Sequence, residues 1–347
     1  MKFSYIYKGF IFAVIIVITC PQYFIFNDAE STNLHHSFCP PQIIKYDRTF
    51  GFYTNAIQYK INDTYRRESV TADDIRAPLS FFCKTDEYYI FNTFKVSHKF
   101  FGINRDRYNL LHEKDLLNLA QPSFYILGAD IMGRDILART IYASKISILV
   151  SVIGVSITAF IGIAIGSISG FFGGKIDFII QRFIDILSSM PSLPIFMALA
   201  VAMPRDISQI QSYLFVVIII SFLSWYNFAK IIRARVLTIL NEDYILAARL
   251  TGASQLWILT KHVYPVLSKY VLAVILVSLP TMILAESALS FLGIGLRPPA
   301  TSWGVLLQEA SNVNVIQNYP WLLIPAIVLV LFVVTINKVS AILYKKS

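Results

Sequence analysis

The chain has 347 residues, of which 56% are hydrophobic and only 15% charged, and its mean hydropathy is +0.60. A soluble globular domain needs far less apolar material for its core, so the composition excludes that class and indicates a protein that crosses the membrane several times. The formal net charge is +9, but no folded basic domain carries it, which argues against nucleic acid as a partner.

A helix needs about twenty apolar residues to cross the hydrocarbon core of a bilayer. Six runs are long enough, and they occupy residues 9–26, 144–170, 178–203, 211–232, 268–292 and 321–343. The predicted fold class is therefore an all-α polytopic membrane protein with six transmembrane helices. Six crossings place both termini on the same side of the membrane.

The first run follows Lys2 and Lys8 and has two interpretations. A charged start before a short apolar core is also typical of a cleaved signal peptide, and cleavage would leave five spans. No Ala-x-Ala-like cleavage site follows, and the three residues before Cys20 form a poor lipoprotein box. We therefore predict an uncleaved N-terminal transmembrane anchor helix within residues 1–26.

Residues 27–122 form a separate unit outside the membrane. Residues 27–143 contain 14 basic and 14 acidic side chains, so this long segment has no net charge. Aromatic residues are frequent, and stretches such as 56–61 alternate partly between apolar and polar residues, which predicts a small mixed α/β insertion with a sheet. Cys39 and Cys83 could form a disulfide there in an oxidising compartment, although their spacing does not decide whether they meet.

A polar motif precedes the second run. Residues 127–139 read Leu-Gly-Ala-Asp-Ile-Met-Gly-Arg-Asp-Ile-Leu-Ala-Arg, and the candidate signature residues are Gly128, Asp130, Gly133, Arg134 and Asp135. Within the run itself, glycines recur every four residues and leave one helix face as bare backbone. These glycines are Gly162, Gly166 and Gly170. We therefore predict that a neighbouring helix approaches this face closely.

Two features of the third run concern charge and backbone. Arg182 and Asp185 lie three residues apart, which predicts an ion pair on one helix. Pro191 and Pro194 remove backbone donors in the same run, so we expect a bend there. A bend beside a translocation path would suit a gate, and a static kink explains the prolines equally well.

Residues 241–265 form a polar hinge between the fourth and fifth runs. Asn241 is predicted to cap a helix that carries negative charge in its first turn and ends at a glycine. Ser254 can cap a second helix that runs to about Lys261. In this helix–turn–helix, small alanines near Tyr244 would let another protein approach closely. The candidate coupling residues are Glu242, Asp243, Tyr244, Ala247, Ala248, Arg249, Gly252, Ala253 and Pro265.

Glu286 lies within the fifth run, where an ionised carboxylate needs a polar partner or a wet cavity. It could contact the amino terminus of a substrate, or it could hydrogen-bond within the helix bundle. With Pro191 and Pro194 it is a candidate for the translocation path.

Patterns for catalysis are missing from the sequence. The segment 170–176 lacks the spacing and the Ser/Thr of a phosphate-binding loop. The five histidines lack the spacing of a structural metal site, and no Gly-x-Ser-x-Gly pattern occurs. We therefore expect a chain without a metal site and without catalytic activity.

The hinge resembles the cytoplasmic loop of inner-membrane permeases from ATP-binding-cassette importers. That loop has the pattern Glu-Ala-Ala, three residues, Gly, nine residues, Ile-x-Leu-Pro. The match holds at Ala247, Ala248, Gly252 and Pro265, and the departures are Leu246, His262 and Tyr264. Residues 127–135 and 284–293 are similar to further motifs of the dipeptide, oligopeptide and nickel branch, in the same order. The resemblance covers roughly residues 125–343.

The resemblance implies one half of a peptide translocation path. Two separate ATP-binding subunits would bind ATP and Mg²⁺, this chain would bind no cofactor, and a second permease subunit of different sequence would complete the path. Residues 123–347 would form the permease domain with five helices. Residues 27–122 would be a periplasmic insertion that docks a substrate-binding protein or covers the mouth as a lid.

The basic residues predict the orientation. With six spans, alternate ends of the predicted helices lie on the same side of the membrane as the two termini. Eleven basic residues fall at or near helix ends on that side: Lys2, Lys8, Lys175, Lys230, Arg233, Arg235, Arg249, Lys261, Lys269, Lys345 and Lys346. The positive-inside bias then puts the hinge and both termini in the cytoplasm of a bacterial inner membrane. The same basic residues make anionic membrane lipid an expected partner.

Three alternatives stay open from sequence. The cargo could be nickel or another small solute, because the motifs recur among permeases for different solutes. A stand-alone secondary transporter or channel would need ionisable groups inside the membrane, for which Arg182, Asp185 and Glu286 are the obvious material. A receptor-like anchor for the insertion would leave the hinge unexplained.

Overall fold

The computed structural model describes residues 21–48, 50–61, 67–90, 94–111, 124–202, 204 and 208–344. The chain divides into two compact units. The first comprises residues 1–145 and 301–329, and the second comprises residues 146–300 and 330–347. The greater part of the predicted anchor helix, residues 1–20, lies outside the described residues.

A four-stranded antiparallel sheet dominates the first unit. Its strands are β1 (Lys45–Asp47), β2 (Gly51–Ile61), β3 (Arg67–Ile90) and β4 (Phe94–Ile103), in the spatial order β1-β2-β3-β4. The 24 residues of β3 pair first with β2 and then with β4, so that one long strand joins two hairpins. The predicted sheet of the insertion is confirmed. We call these four strands the insertion sheet.

Short helices complete the first unit. They are α1 (Pro21–Phe24), a 3₁₀ turn (Leu34–His36), α2 (Arg105–Leu111), α11 (Trp303–Glu309), α12 (Val313–Asn318) and a second 3₁₀ turn (Pro320–Leu323). A small core joins Ile136, Ala310 and Leu322, and Phe38 stacks on Tyr319 with ring centroids 4.0 Å apart.

Long helices form the second unit. They are α3 (Ile136–Phe172), which begins in the first unit, then α4 (Gly174–Ser189), α5 (Ser192–Val201), α6 (Gln209–Phe222), α7 (Trp225–Leu240), α8 (Asp243–Leu250), α9 (Gln255–Ile258), a π-helical segment (Leu259–Val263), α10 (Tyr264–Phe291) and α13 (Ile324–Tyr344), which also begins in the first unit.

Among the described residues, three continuous helices are long and apolar enough to cross a membrane: Ile136–Phe172, Gln255–Phe291 and Pro320–Ile342. The pair α6 and α7 would add a fourth span with a bend of 43°. The fifth predicted run therefore begins earlier than residue 268, because α9, the π-helical segment and α10 are continuous. The count of six spans stays a prediction.

The third predicted run, 178–203, is not one helix. Helix α4 ends at Ser189, and α5 begins at Ser192. Met190 between them is extended, with φ −78° and ψ 131°, because the ring of Pro191 disfavours a helical conformation in the preceding residue. Pro194 lies in the first turn of α5, where the helix needs no backbone donor from it. The expected bend is thus a break at Pro191.

The glycine face of α3 packs against α7, as its spacing predicts. A Cβ atom built on Gly166 would lie 2.5 Å from the Ala229 carbonyl oxygen, and one on Gly162 would lie 2.8 Å from the Phe228 Cβ. Gly170 likewise approaches Val236. Side chains at these positions would force the two helices apart.

We expect the substitution Gly166→Leu to separate α3 from α7 and to lower the thermal stability of the detergent-solubilised protein by several degrees. Overpacking of a tight contact costs about 1–3 kcal/mol, and here the neighbour is backbone, which cannot rotate away. Gly173→Leu is the matched control, because a Cβ at Gly173 meets nothing within 4 Å, although its φ of +62° adds backbone strain. Equal melting temperatures for Gly166→Leu and the wild type would contradict this packing.

Candidate functional sites

The hinge is a folded unit with two helices. Helix α8 ends in a Schellman motif, in which the Ala253 amide donates to the Ala248 carbonyl oxygen at 3.0 Å and the Gly252 amide donates to that of Arg249 at 3.0 Å. Gly252 has φ +81°, a conformation that other residues adopt only with strain. The Ser254 hydroxyl accepts from the Trp257 amide and caps α9, as predicted.

Two details of the hinge prediction are wrong. Asn241 does not cap α8: it ends α7, where its side-chain amide donates to the Leu237 carbonyl oxygen, and the extended Glu242 precedes α8 instead. The second helix does not end near Lys261, because a π-helical segment carries it directly into α10. The hinge is therefore continuous with α10, whereas Asn241 and Glu242 separate α8 from α7.

Apolar side chains fix the hinge to the second unit. Ile245 of α8 and Ile258 of α9 are buried at 0% and 2% exposure, and both pack in one cluster with Val263 and Leu267. Ala248 packs on this cluster too, because it lies one turn from Ile245. Ala248 thus faces the core, and not the outer face on which the sequence suggested it.

The outer face of the hinge is apolar and exposed. Leu250 is 89% exposed and Leu256 is 72% exposed, and Tyr244, Leu246 and Trp257 are each exposed by more than 40%. Exposed apolar patches of this kind mark interaction surfaces. The sequence analysis placed Leu250 and Leu256 within the hinge without selecting them, because which leucines of a short helix are exposed depends on what the helix packs against.

The charged and remaining small residues of the hinge surround this patch. Glu242 and Asp243 at the start of α8, and Ala247 and Arg249 further along it, are exposed. Acidic residues in the first turn and a basic residue in the last turn suit the helix dipole. Pro265 is exposed and follows the π-helical segment, at the beginning of α10.

His262 joins the two hinge helices, a role that the sequence did not indicate. Its ring lies 5.7 Å from the ring of Tyr244 and 4.9 Å from that of Trp257, centroid to centroid. Its Nε2 atom is buried and forms no hydrogen bond among the described residues. The histidine therefore acts here mainly as a flat packing surface between the aromatic rings.

The motif of residues 127–139 builds a buried ion cluster. The Arg139 guanidinium, whose side chain is only 2% exposed, donates to Asp130 at 2.6 Å and also to Glu309. Arg134 bonds the same two carboxylates, at 2.8 Å to Asp130 and 3.3 Å to Glu309. Two arginines thus balance two carboxylates, which buried charges require.

Two glycines of the motif occupy places that exclude a side chain. A Cβ at Gly133 would lie 1.8 Å from the Asn33 carbonyl oxygen, and one at Gly128 would lie 2.8 Å from that of Cys39. Both glycines have positive φ, at +71° and +82°. They let the segment before the insertion sheet lie directly on the motif.

The family model for the binding-protein-dependent transport system inner membrane component matches residues 162–346, just over half of the chain. The chain belongs to this family. The family assignment of the sequence analysis is thereby confirmed.

The relatives of this inner membrane component carry printed names from peptide transport. The dipeptide transport system permease protein DppC of Lactococcus lactis is 34% identical over 59% of this chain and 58% of that protein. The oligopeptide transport system permease proteins OppC of Bacillus subtilis and Haemophilus influenzae are 35% and 36% identical, over 60% and 62% of this chain and 66% and 67% of theirs. The chain thus spans 58% to 67% of the length of these relatives.

One solved structure similar to this inner membrane component is described as a crystal structure of an amino acid ABC transporter with histidines. It is 15% identical and covers 60% of this chain and 94% of its own, with a TM-score of 0.44.

Inside the inner membrane component, Glu286 is completely buried among hydroxyl groups. Ser147 and Ser290 donate to its carboxylate at 2.9 Å each, and Ser287 donates at 3.4 Å. Ser290 also accepts from the Leu296 amide, which ties the end of α10 to the following turn. Of the two interpretations from sequence, this geometry supports hydrogen bonding within the helix bundle.

The charges and prolines of the third run lie on the surface of the component. Arg182 and Asp185 approach to 3.9 Å, with side chains 67% and 54% exposed, and Asp185 also lies 3.5 Å from Lys230. The predicted ion pair is present and is exposed on the surface of the chain. Pro191 and Pro194 are exposed as well.

Cys39 and Cys83 are both buried and both free, so the disulfide that the sequence allowed does not form. Burial raises the pKa of each thiol, which keeps it protonated and unreactive. Within the described residues, no group of three or more His, Cys, Asp or Glu side chains could hold a metal ion.

Asp135 directly precedes α3 and is almost fully buried. Its carboxylate accepts from the Leu137 amide at 2.9 Å and from the Asn27 side-chain amide at 3.0 Å. Burial raises the pKa of the Asp135 carboxyl to about 6, and the hydrogen bond from Asn27 opposes part of that shift. The ionised form is thus costly in the folded protein.

We expect this carboxyl to make the protein less stable as the pH rises. Because the folded-state pKa of about 6 lies above the unfolded value, the stabilisation is complete below about pH 4 and is lost as the pH passes 6, by about 3 kcal/mol. Thermal melting of wild type and Asp135→Asn between pH 4 and pH 7.5 tests this. As the pH rises, the melting temperature of Asp135→Asn should increase relative to that of the wild type. A difference that stays constant with pH would contradict the raised pKa of Asp135.

Proposed function

We propose that this chain is a permease subunit of an ATP-binding-cassette importer for peptides in a bacterial inner membrane. A second, different permease subunit, two ATP-binding subunits and a periplasmic substrate-binding protein would complete the assembly. ATP and Mg²⁺ would bind to the ATP-binding subunits, and this chain would contribute no catalytic group.

The observation that carries the proposal is the hinge. It is polar in sequence, yet it folds around Ile245 and Ile258 and presents Leu250 and Leu256 to solvent. A loop that only joined two spans would need neither the buried anchor nor the exposed leucines. Both features are expected of a rigid surface to which an ATP-binding subunit binds.

The continuity of the helices supports a mechanism for coupling. The segment Gln255–Phe291 runs without a break from the hinge to the region of Glu286, and α7 ends within two residues of α8. Closure of the two ATP-binding subunits would displace the hinge, and the hinge would move α7 and α10 as connected bodies. Such rigid-body movement alternates access to the two sides of the membrane.

The assignment of peptide as cargo rests on the relatives, whose names come from dipeptide and oligopeptide transport. The nickel alternative has no such support among them. The ligand of the co-purified substrate-binding protein, identified by mass spectrometry, tests the assignment. Peptides are expected there, and a nickel chelate would refute this part of the proposal.

The rival of a stand-alone secondary transporter receives less support from the geometry. Arg182 and Asp185 are exposed on the surface of the chain and pair with each other, and three serines hydrogen-bond Glu286. Peptide uptake by cells that are depleted of ATP while the membrane potential is clamped separates the two mechanisms. Uptake should collapse, whereas continued uptake would favour the rival.

Substitutions at Gly252 test the hinge itself. We expect Gly252→Asn to transport normally, because Asn tolerates positive φ. Gly252→Val should distort the hinge through backbone strain, and Gly252→Asp should place a charge on the proposed interface. A Cβ at this position meets nothing within 4 Å, so folding and membrane insertion should survive in all three.

Peptide uptake and the amount of each Gly252 variant in the membrane are measured together. We expect Val to reduce uptake at least about tenfold, since strain of about 1–2 kcal/mol acts on a coupling contact. Asp should reduce uptake through its charge at the interface. Normal uptake by both variants would refute the role of the hinge.

A further inference from the structure

A row of exposed aromatic rings in mutual contact runs across the insertion sheet. Their exposed fractions run from 40% to 66%. The row consists of Tyr46, Phe52, Phe81, Phe82 and Phe100, and we call it the aromatic row.

The rings of the aromatic row touch one another and form one continuous apolar surface. Tyr46 and Phe52 are cross-strand partners with ring centroids 5.2 Å apart, and Phe52 lies 6.3 Å from Phe81. Phe100 lies 5.8 Å from both Phe81 and Phe82. Contact of such a continuous apolar surface with water is unfavourable. Surfaces of this kind mark a contact with a partner or with a membrane.

Phe82 shows that the exposure of the row is maintained against a cost. Its backbone has φ +53°, which a bulky side chain seldom adopts and which costs of order 1–3 kcal/mol. The side chain is nevertheless 61% exposed, and its ring lies 5.8 Å from that of Phe100, so little burial offsets the strain.

The row continues to the point at which the predicted anchor helix ends. The rings of Phe24 and Tyr23 lie 6.0 Å and 6.3 Å from the ring of Phe100. The apolar run of residues 9–26, which is predicted to cross the membrane, ends two residues after Phe24. Tyrosine and tryptophan rings are enriched where helices leave the bilayer.

A basic pocket lies beside this junction. It is lined by Phe26, Lys84, Lys99 and Arg105, among others, and the Lys99 ammonium donates to the Phe26 carbonyl oxygen at 2.7 Å. Cationic groups next to apolar rings at a membrane surface attract anionic lipid headgroups.

We propose that the insertion sheet lies on the membrane surface, with the aromatic row at the boundary between headgroups and acyl chains. Lys84, Lys99 and Arg105 then face the phosphate of an anionic phospholipid. Continuity of the row with Tyr23 and Phe24, together with the basic pocket at the same junction, favours lipid over a docked protein. The proposal needs only a chain in its membrane and does not depend on ATP coupling.

Photo-crosslinking in native membranes tests this contact directly. The full chain, with its natural partners, carries p-benzoylphenylalanine at Phe52 or at Phe82, and mass spectrometry identifies the adducts after irradiation. The control carries it at Lys45, an exposed residue of β1 whose side chain points to the opposite face from Tyr46. We expect phospholipid adducts at 52 and 82, at least about fivefold above position 45. Protein adducts in their place, or lipid adducts no more frequent than at 45, would overturn the proposal.

A second arm tests the basic pocket. Chains labelled at 82 are placed in nanodiscs of neutral phosphatidylcholine with or without phosphatidylglycerol. The fraction of adducts that contain phosphatidylglycerol should exceed the fraction of phosphatidylglycerol in the nanodisc. The substitutions Lys84→Gln and Arg105→Gln each remove one charge, and each should lower the yield of these adducts about fivefold. Added inorganic phosphate should leave them unchanged. Competition by free phosphate, or no preference for the anionic lipid, would overturn the assignment of the pocket.

Discussion

The double substitution Leu250→Asp, Leu256→Asp is expected to leave the protein folded in the membrane and to remove its ATP-binding subunits. Both side chains are exposed, at 89% and 72%, so the fold loses almost no buried surface. At an interface, burial of one leucine contributes about 1.5–3 kcal/mol. The loss of two should weaken association at least about a hundredfold, and buried aspartates would weaken it further.

Titration of purified ATP-binding subunits against nanodisc-embedded chain measures this loss. Leu34→Asp is the matched control, since Leu34 is 65% exposed but belongs to the first unit, whereas the hinge belongs to the second. It should bind like the wild type. Equal affinities of the double variant and the control would show that the exposed leucines are not the contact.

Arg139→Ala should be the most destabilising single substitution in the charged core of the first unit. The side chain is 2% exposed and bonds both Asp130 and Glu309. Its removal leaves the buried Asp130 and the partly buried Glu309 with Arg134 as their remaining partner in the cluster, and breaking a buried ion pair in this way costs about 3–5 kcal/mol. A large drop in melting temperature in detergent, or failure to accumulate, is the expected result.

Two further variants separate the causes of that loss. Arg139→Lys keeps the charge but cannot reproduce the forked hydrogen bonds, so its stability should lie between those of Ala and wild type. Arg182→Ala breaks the exposed pair with Asp185 and should cost about 0–1 kcal/mol. If Arg139→Ala were as mild as Arg182→Ala, the cluster would not hold the unit together.

The spacing of residues along the chain predicted those features that depend on interactions between residues close in sequence. Glycines four residues apart lie on the same face of a helix, and this face of α3 packs on α7. Ser254 caps α9 and Gly252 ends α8, because each satisfies groups within a few residues of itself. A residue between two adjacent helices can, however, cap either one. Asn241 caps the C-terminus of α7, and not the N-terminus of α8 as predicted.

Features that depend on distant contacts could not be read from the sequence. Glu309 enters the ion cluster from a helix about 170 residues away from Arg139. His262, in the π-helical segment, contacts Tyr244, which lies 18 residues earlier on α8. Hydropathy also gave one span over 178–203, since an apolar average does not register the break that Pro191 imposes.

The most direct test of the proposed importer is to tag the C-terminus of the chain, extract it gently from native membranes and identify the proteins that accompany it. ATP-binding subunits and a second permease should co-purify with the wild type and be lost with Gly252→Asp. Recovery of the chain alone in several mild detergents would contradict the account, and it would return attention to Asp185 and Glu286 as groups of a stand-alone transporter.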